Sequence, residues 1–174
     1  MSSRLVAAVL LTACAGARPP GSPGPAAVAA GTFHNAGGER IGVATLTDTL
    51  GALRLAVSVG GLTPGPHGIH VHAAGTCTPP AFTSAGPHFN PTGRQQGRRN
   101  PAGPHLGDLP NLLVGADGSA DTSFALTGIE TSGPEALLGP DGSSVVIHAG
   151  ADDERTDPSG GSGDRIACAV LEPS

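Results

Sequence analysis

The sequence predicts an all-β domain: a β-sandwich or flattened barrel of eight short strands carrying two long functional loops. Three observations point there. Apolar residues alternate with small or polar ones in short runs, the pattern of antiparallel strands with one buried face. Glycine and proline, 28 and 17 of the 174 residues, punctuate those runs. Two connections, 73–108 and the Asp- and Gly-rich stretch after His148, are full of turn formers and have no periodicity. A loop that long without secondary structure of its own usually serves function. So much glycine and proline would also suit a disordered chain, but the strand-like runs argue against that. The length suits one domain, and a domain of about 150 residues can bury roughly 70% of its unfolded surface.

The chain opens Met1-Ser2-Ser3-Arg4 and runs into the apolar stretch Leu5–Leu11. A basic start, a short apolar run and small residues read as an export signal over residues 1–13, too short to span a bilayer as a finished helix. Leu11-Thr12-Ala13-Cys14 resembles the lipobox of bacterial lipoproteins. That implies cleavage before Cys14, acylation of Cys14 and attachment to a membrane through the lipid. Cleavage after Ala15-Gly16-Ala17 is the competing reading, and it would discard Cys14. Either way the protein is expected outside the cytoplasm, in the periplasm or at the cell surface, where a disulfide persists. Residues 14–27 include Pro19, Pro20, Pro23 and Pro25 and read as a semi-extended linker. The folded domain is assigned to 28–174.

Strand character begins weakly at Ala27–Phe33 and turns at Gly37-Gly38. Arg40–Thr49 alternates through Ile41 and Val43, and Ala52–Val59 alternates through Leu53, Leu55, Val57 and Val59. His67–His72 is the fourth strand. Leu112–Gly115 and Ala120–Leu126 flank Asp117-Gly118, a hairpin signal. Pro134–Leu138 is expected as a short helical turn or loop. Ser144–His148 and Ile166–Leu171 complete the eight. The net charge is −5 and all nine cations are arginine, a balance that gives no support to nucleic-acid binding.

Chemistry concentrates between Pro66 and Asp108, which holds five of the seven histidines. His70 and His72 are two apart, so on a strand both point to one face. Buried imidazoles side by side make poor core material, since each needs hydrogen-bond partners. As metal ligands they make sense, because neutral imidazole nitrogens suit copper and zinc. His67-Gly68-Ile69-His70-Val71-His72, Ser84-Ala85-Gly86-Pro87-His88-Phe89-Asn90-Pro91, His105-Leu106-Gly107-Asp108-Leu109, Val145-Val146-Ile147-His148 and Gly163-Asp164-Arg165-Ile166-Ala167-Cys168 follow in order. Together they resemble the metal-binding motifs of the copper/zinc superoxide dismutase family, over roughly residues 28–171.

The resemblance implies the Greek-key version of the sandwich. It also implies copper held by His70, His72, His88 and His148. His88 would bridge to zinc and handle a proton, and Arg165 would orient the superoxide anion. Zinc would be held by His88, His105, Asp108 and one further histidine, eight residues after the bridge and nine before the next ligand. Both intervals fall on Gln96, a poorer donor than imidazole, so weak or partial zinc binding is expected beside copper. Cys77 and Cys168 match the family's disulfide, and Asp152 matches a carboxylate that ties copper and zinc ligands together. His67 resembles a structural histidine, and His34 is assigned to the surface. Asp153, Glu154 and Asp157 are read as solvated, and Arg94, Arg98 and Arg99 are expected at the mouth of the site. The function implied is disproportionation of superoxide to dioxygen and hydrogen peroxide. The alternative is a non-enzymatic copper-binding or storage lipoprotein, which needs the histidines but not Arg165. A homodimer is a candidate assembly.

Overall fold

A computed structural model describes residues 27–49, 52–133 and 135–174. The export signal, Cys14 and nearly all of the linker lie outside these residues, as does Pro134. Ten strands follow in order: β1 (Ala27–Asn35), β2 (Arg40–Thr49), β3 (Ala52–Val59), β4 (Gly65–His67), β5 (Ile69–His72), β6 (Leu112–Val114), β7 (Ala120–Leu126), β8 (Ser144–His148), β9 (Arg165–Val170) and β10 (Glu172–Pro173). Among the described residues the only helical element is a 3₁₀ turn at Thr83–Ala85. The strands curl into a sheet ordered β5-β8-β9-β1-β2-β3-β7, with β10 added to β1, and β4 and β6 form a separate pair. Every ladder is antiparallel.

Alternation does what the pattern predicts along β3, where Leu53, Leu55, Val57 and Val59 are buried and the residues between them are exposed. These side chains join Phe33, Leu46, Ile69, Val71, Leu112, Phe124 and Ile147 in one core. The β6–β7 turn runs through Asp117 and Gly118, whose φ of +78° only glycine adopts without strain.

Two features depart from the expectation. The fourth strand is not continuous: it breaks at Gly68, so that β4 pairs with β6 while β5 pairs with β8. A methyl group on Gly68 would sit 2.7 Å from the Ser162 Cβ, so glycine lets the loop after β8 close against the strand at the point where it changes sheet. The second departure is burial. β5 and β8 are buried on both faces, because the loop 73–108 folds back over them. Phe82, Ala85, Val146 and Cys168 form a small second core beneath that loop, with Cys77 packed against it. The Cys77–Cys168 disulfide ties the loop to β9 across 91 residues. Residues 135–138 are turns, with Leu137 fully buried.

Candidate metal centre

The face of β5 opposite the main core carries His70 and His72, paired in register with Val146 and Ser144 of β8. His148 closes β8, opposite Arg165 at the start of β9. His88 arrives from the loop, held where Ala73 N–H donates to Pro87 O and Phe89 N–H to Val71 O. The structure thus brings His70, His72, His88 and His148 together, with one ring nitrogen of each within 4.8 Å of the others.

Three of these rings are tied at one nitrogen and free at the other. His70 Nε2 bonds Asp152 Oδ2 at 2.6 Å, His72 Nδ1 donates to Gly86 O at 2.9 Å, and His148 Nδ1 donates to Gly163 O at 3.1 Å. Nδ1 of His70 and Nε2 of His72 and His148 are buried and have no hydrogen-bond partner among the described residues. Such orphaned nitrogens cost stability unless something binds them. Burial, with neighbouring cationic groups, pushes His72 down to about 2 and His148 down to about 3, and burial lowers His70 as well. All three are therefore neutral at pH 7, with lone pairs available.

A second cluster shares His88. Its Nδ1 lies 3.0 Å from Asp108 Oδ1, and His105 Nδ1 lies 3.3 Å from the same oxygen. Asp108 Oδ2 accepts from the backbone N–H of Gly97 and of His105. Burial works to raise the Asp108 pKa, but these hydrogen bonds and the nearby histidines hold it below the usual range. Gln96 is fully buried beside this cluster. Its Nε2 donates to Asp152 Oδ2 at 2.8 Å, its backbone N–H donates to Asp157 Oδ1 at 2.6 Å, and its Oε1 has no hydrogen-bond partner among the described residues. One oxygen of Asp152 therefore serves both His70 and Gln96. Asn111 clamps the Asp152 backbone through two 2.8 Å bonds, a part that nothing in the sequence singled out.

Arg165 is half-buried, its Nη1 donating to Phe82 O and its Nη2 to Gly86 O, each at 2.8 Å. Burial lowers its pKa from the usual arginine value. It lines a cleft of about 1000 Å³ with His88 and His148. Arg94 lines the same cleft, as do Glu135, Asp141 and Asp157. Arg98 and Arg99 do not: both pair with Glu154, at 3.5 and 3.1 Å, on the flank. The expectation of three arginines at the mouth holds for Arg94 alone, because Glu154, which follows the site in sequence, captures the other two. Neither Glu154 nor Asp157 is merely solvated. His67 is buried, with Nδ1 2.7 Å from His148 O and Nε2 2.8 Å from Thr63 O, and His34 is exposed.

A family model for copper/zinc superoxide dismutase matches residues 40–171. The chain belongs to the copper/zinc superoxide dismutase family. It is 38% identical to "Superoxide dismutase [Cu-Zn] 2" of Aquifex aeolicus over 79% of this chain and 82% of that protein. To "Superoxide dismutase [Cu-Zn]" of Caulobacter vibrioides it is 40% identical, over 78% and 80%. A crystal structure of a SOD-like protein from Bacillus subtilis superposes with a TM-score of 0.78 at 37% identity, covering 82% of this chain and 97% of that one.

The family's two metals can be tested against these residues. Three orphaned, neutral imidazole nitrogens converging with His88 form a donor set that suits copper. The cluster of His88, His105 and Asp108 offers zinc three donors, one short of the usual four.

Proposed function

We propose that the chain is a copper-dependent superoxide dismutase acting outside the cytoplasm, converting two superoxide anions and two protons to dioxygen and hydrogen peroxide. The observation that carries this reading is a converging set of unclaimed histidine nitrogens, one of them on His148, which lines a cleft together with a guanidinium. A copper store needs only the nitrogens. His70, His72, His88 and His148 would hold copper, which supplies one-electron exchange between two oxidation states. Arg165 stays protonated and would hold the anion by charge and hydrogen bonds. His88 Nε2 would be the atom that takes up a proton when it is not held by copper and passes it to the product, and its Nδ1 faces Asp108 in the second cluster. Asp152 fixes the ring of His70.

The second site, His88, His105 and Asp108 with Gln96, would hold zinc less tightly than the first holds copper. An amide oxygen is a weaker donor than imidazole, and Gln96 would stand where the family has a histidine. Export rests on the N-terminal signal, with Cys14 as lipid anchor, and the Cys77–Cys168 bond suits an oxidising compartment. The deciding experiment is metal analysis of the purified protein beside a superoxide-dismutation assay. Copper bound at one equivalent without dismutation would replace the enzyme by the carrier.

A further inference from the structure

The guanidinium of Arg165 is mounted on one short piece of backbone. Its two acceptors, Phe82 O and Gly86 O, are the residues that bracket the 3₁₀ turn Thr83–Ala85. Gly86 O accepts from His72 Nδ1 as well, so the same turn orients an imidazole of the metal cluster and the arginine beside it. The position of this turn therefore sets where the remaining N–H groups of Arg165 point.

Phe82 fixes the turn. Its ring is fully buried in the second core against Ala85, Val146 and Cys168. Val146 lies opposite His70 in the β5–β8 ladder and opposite Cys168 in the β8–β9 ladder, so the ring is seated on the strands that carry the site. Its backbone is left-handed, with φ 51° and ψ 26°, a conformation that a bulky side chain rarely adopts and that surrounding packing must enforce. Phe82 N–H donates to Thr78 O, and Phe82 O accepts from Ala85 N–H as well as from Arg165. The disulfide tethers the loop at Cys77, five residues earlier. Thr76 Oγ1 donates to Ser84 O, Thr78 N–H to Ser84 Oγ and Ala74 N–H to Ala85 O, and the ring of Phe82 is the largest buried side chain that anchors the turn.

We infer that Phe82 is a positioning residue for Arg165: its buried ring locks the turn whose carbonyls aim the guanidinium into the cleft. The inference rests on reading Arg165 as the anion-binding group. Shrinking the ring would let the turn relax, Gly86 would follow, and Arg165 would lose its orientation without losing its charge.

The test is a double-mutant cycle on copper-loaded full chain, with Phe82→Ala, Arg165→Ala and the pair, read by azide affinity and by dismutation rate. Phe82→Ala is expected to weaken both by about tenfold, since small misplacements of a binding group are costly. The copper absorption band and the intact disulfide should persist, and Phe82→Leu should recover most of the loss. In the Arg165→Ala background, Phe82→Ala should add almost nothing. Equal losses in both backgrounds, or unchanged azide affinity in Phe82→Ala, would overturn the inference. Should Phe82→Ala fail to fold, the cycle is run under the same criteria with Phe82→Met, whose flexible chain fills the space without fixing the turn. Metal-free protein gives a readout independent of copper. Arginine modification by phenylglyoxal, mapped by mass spectrometry, should speed up at Arg165 but not at Arg94 in the variant, and no change at Arg165 counts against the inference. A wild type that binds azide but does not dismutate superoxide would refute the enzyme reading and leave this one standing.

Discussion

At the scale of single residues, the proposed site separates the groups that would hold metal from the group that would hold the anion. His148 offers a neutral nitrogen and no charge, and Arg165 offers charge and no lone pair. His148→Ala should therefore lose copper itself, seen as sub-stoichiometric metal. Arg165→Ala should keep copper and lower kcat/KM by about a hundredfold, the lower end of the scale for one preorganised donor. Full activity in Arg165→Ala would sink the assignment. Gln96 gives a third test. Its amide already bonds Asp152 and its loop spacing already fits, so Gln96→His should tighten zinc by about ten- to hundredfold. The wild type should lose zinc to a mild chelator while keeping copper, measured by metal content before and after dialysis. Full zinc retention would show that three ligands and an amide suffice. The histidines were legible in the sequence because motif spacing fixes them. Asn111 and Phe82 were not, because Asn111 holds the backbone of Asp152 and Phe82 holds Arg165 through its own carbonyl, each across a long separation in sequence.

At the scale of elements, two loops are welded to one strand pair, and the welds are specific. The loop after β8 brings Asp152 under His70 only because Gly160 leaves room: a methyl group there would collide with the Asp152 carboxylate, and its φ of +66° disfavours any other residue. Gly160→Ala should displace Asp152 and weaken copper by about tenfold, the scale of losing an orienting partner. Chelator competition reads this, and unchanged affinity would mean that Asp152 does not hold His70. The loop 73–108 is held at its near end by the disulfide, and opening that 91-residue link should cost about 2 to 5 kcal/mol. A Cys77→Ser, Cys168→Ser pair should lower Tm accordingly. The strands were legible because a period of two survives wherever one face meets solvent, as in β3. The break at Gly68 was not, because burial of both faces of β5 removes the alternation and only a partner strand decides where a strand changes sheet.

At the scale of the whole molecule, charge acts in two ways. In metal-free protein His70, His72 and His148 have folded pKa values below the unfolded 6.5, so the unfolded chain takes up protons first as pH falls. Their stability is fully present above pH 6.5 and declines as pH falls, toward about 2 for His72 and about 3 for His148, by about 1.4 kcal/mol per pH unit for each of these two, with His70 acting in the same direction. Thermal melts of metal-free protein between pH 7 and 4 check this, and a flat profile contradicts it. The second effect concerns the substrate. A chain of net charge −5 must draw in an anion, and its cleft presents Arg94 and Arg165 against Glu135, Asp141 and Asp157. Arg98 and Arg99 share the single carboxylate of Glu154 away from the cleft, so about half of their charge is cancelled at source and the rest acts from the flank. Guidance should then depend on Arg94 and be opposed by the carboxylates. Exposed charges are screened over about 8 Å at physiological ionic strength, so every such effect should appear at low salt and fade at high salt. Replacing Arg98 and Arg99 together should change the salt dependence of kcat/KM less than Arg94→Ala does, because they act from the flank. Arg94→Ala should lower the low-salt rate, and Glu135→Gln with Asp141→Asn should raise it, by about two- to tenfold in each case. Pulse radiolysis across a range of ionic strengths separates these outcomes. If the Arg98/Arg99 replacement lowered the low-salt rate as much as Arg94→Ala, the flank and not the mouth would be steering the anion.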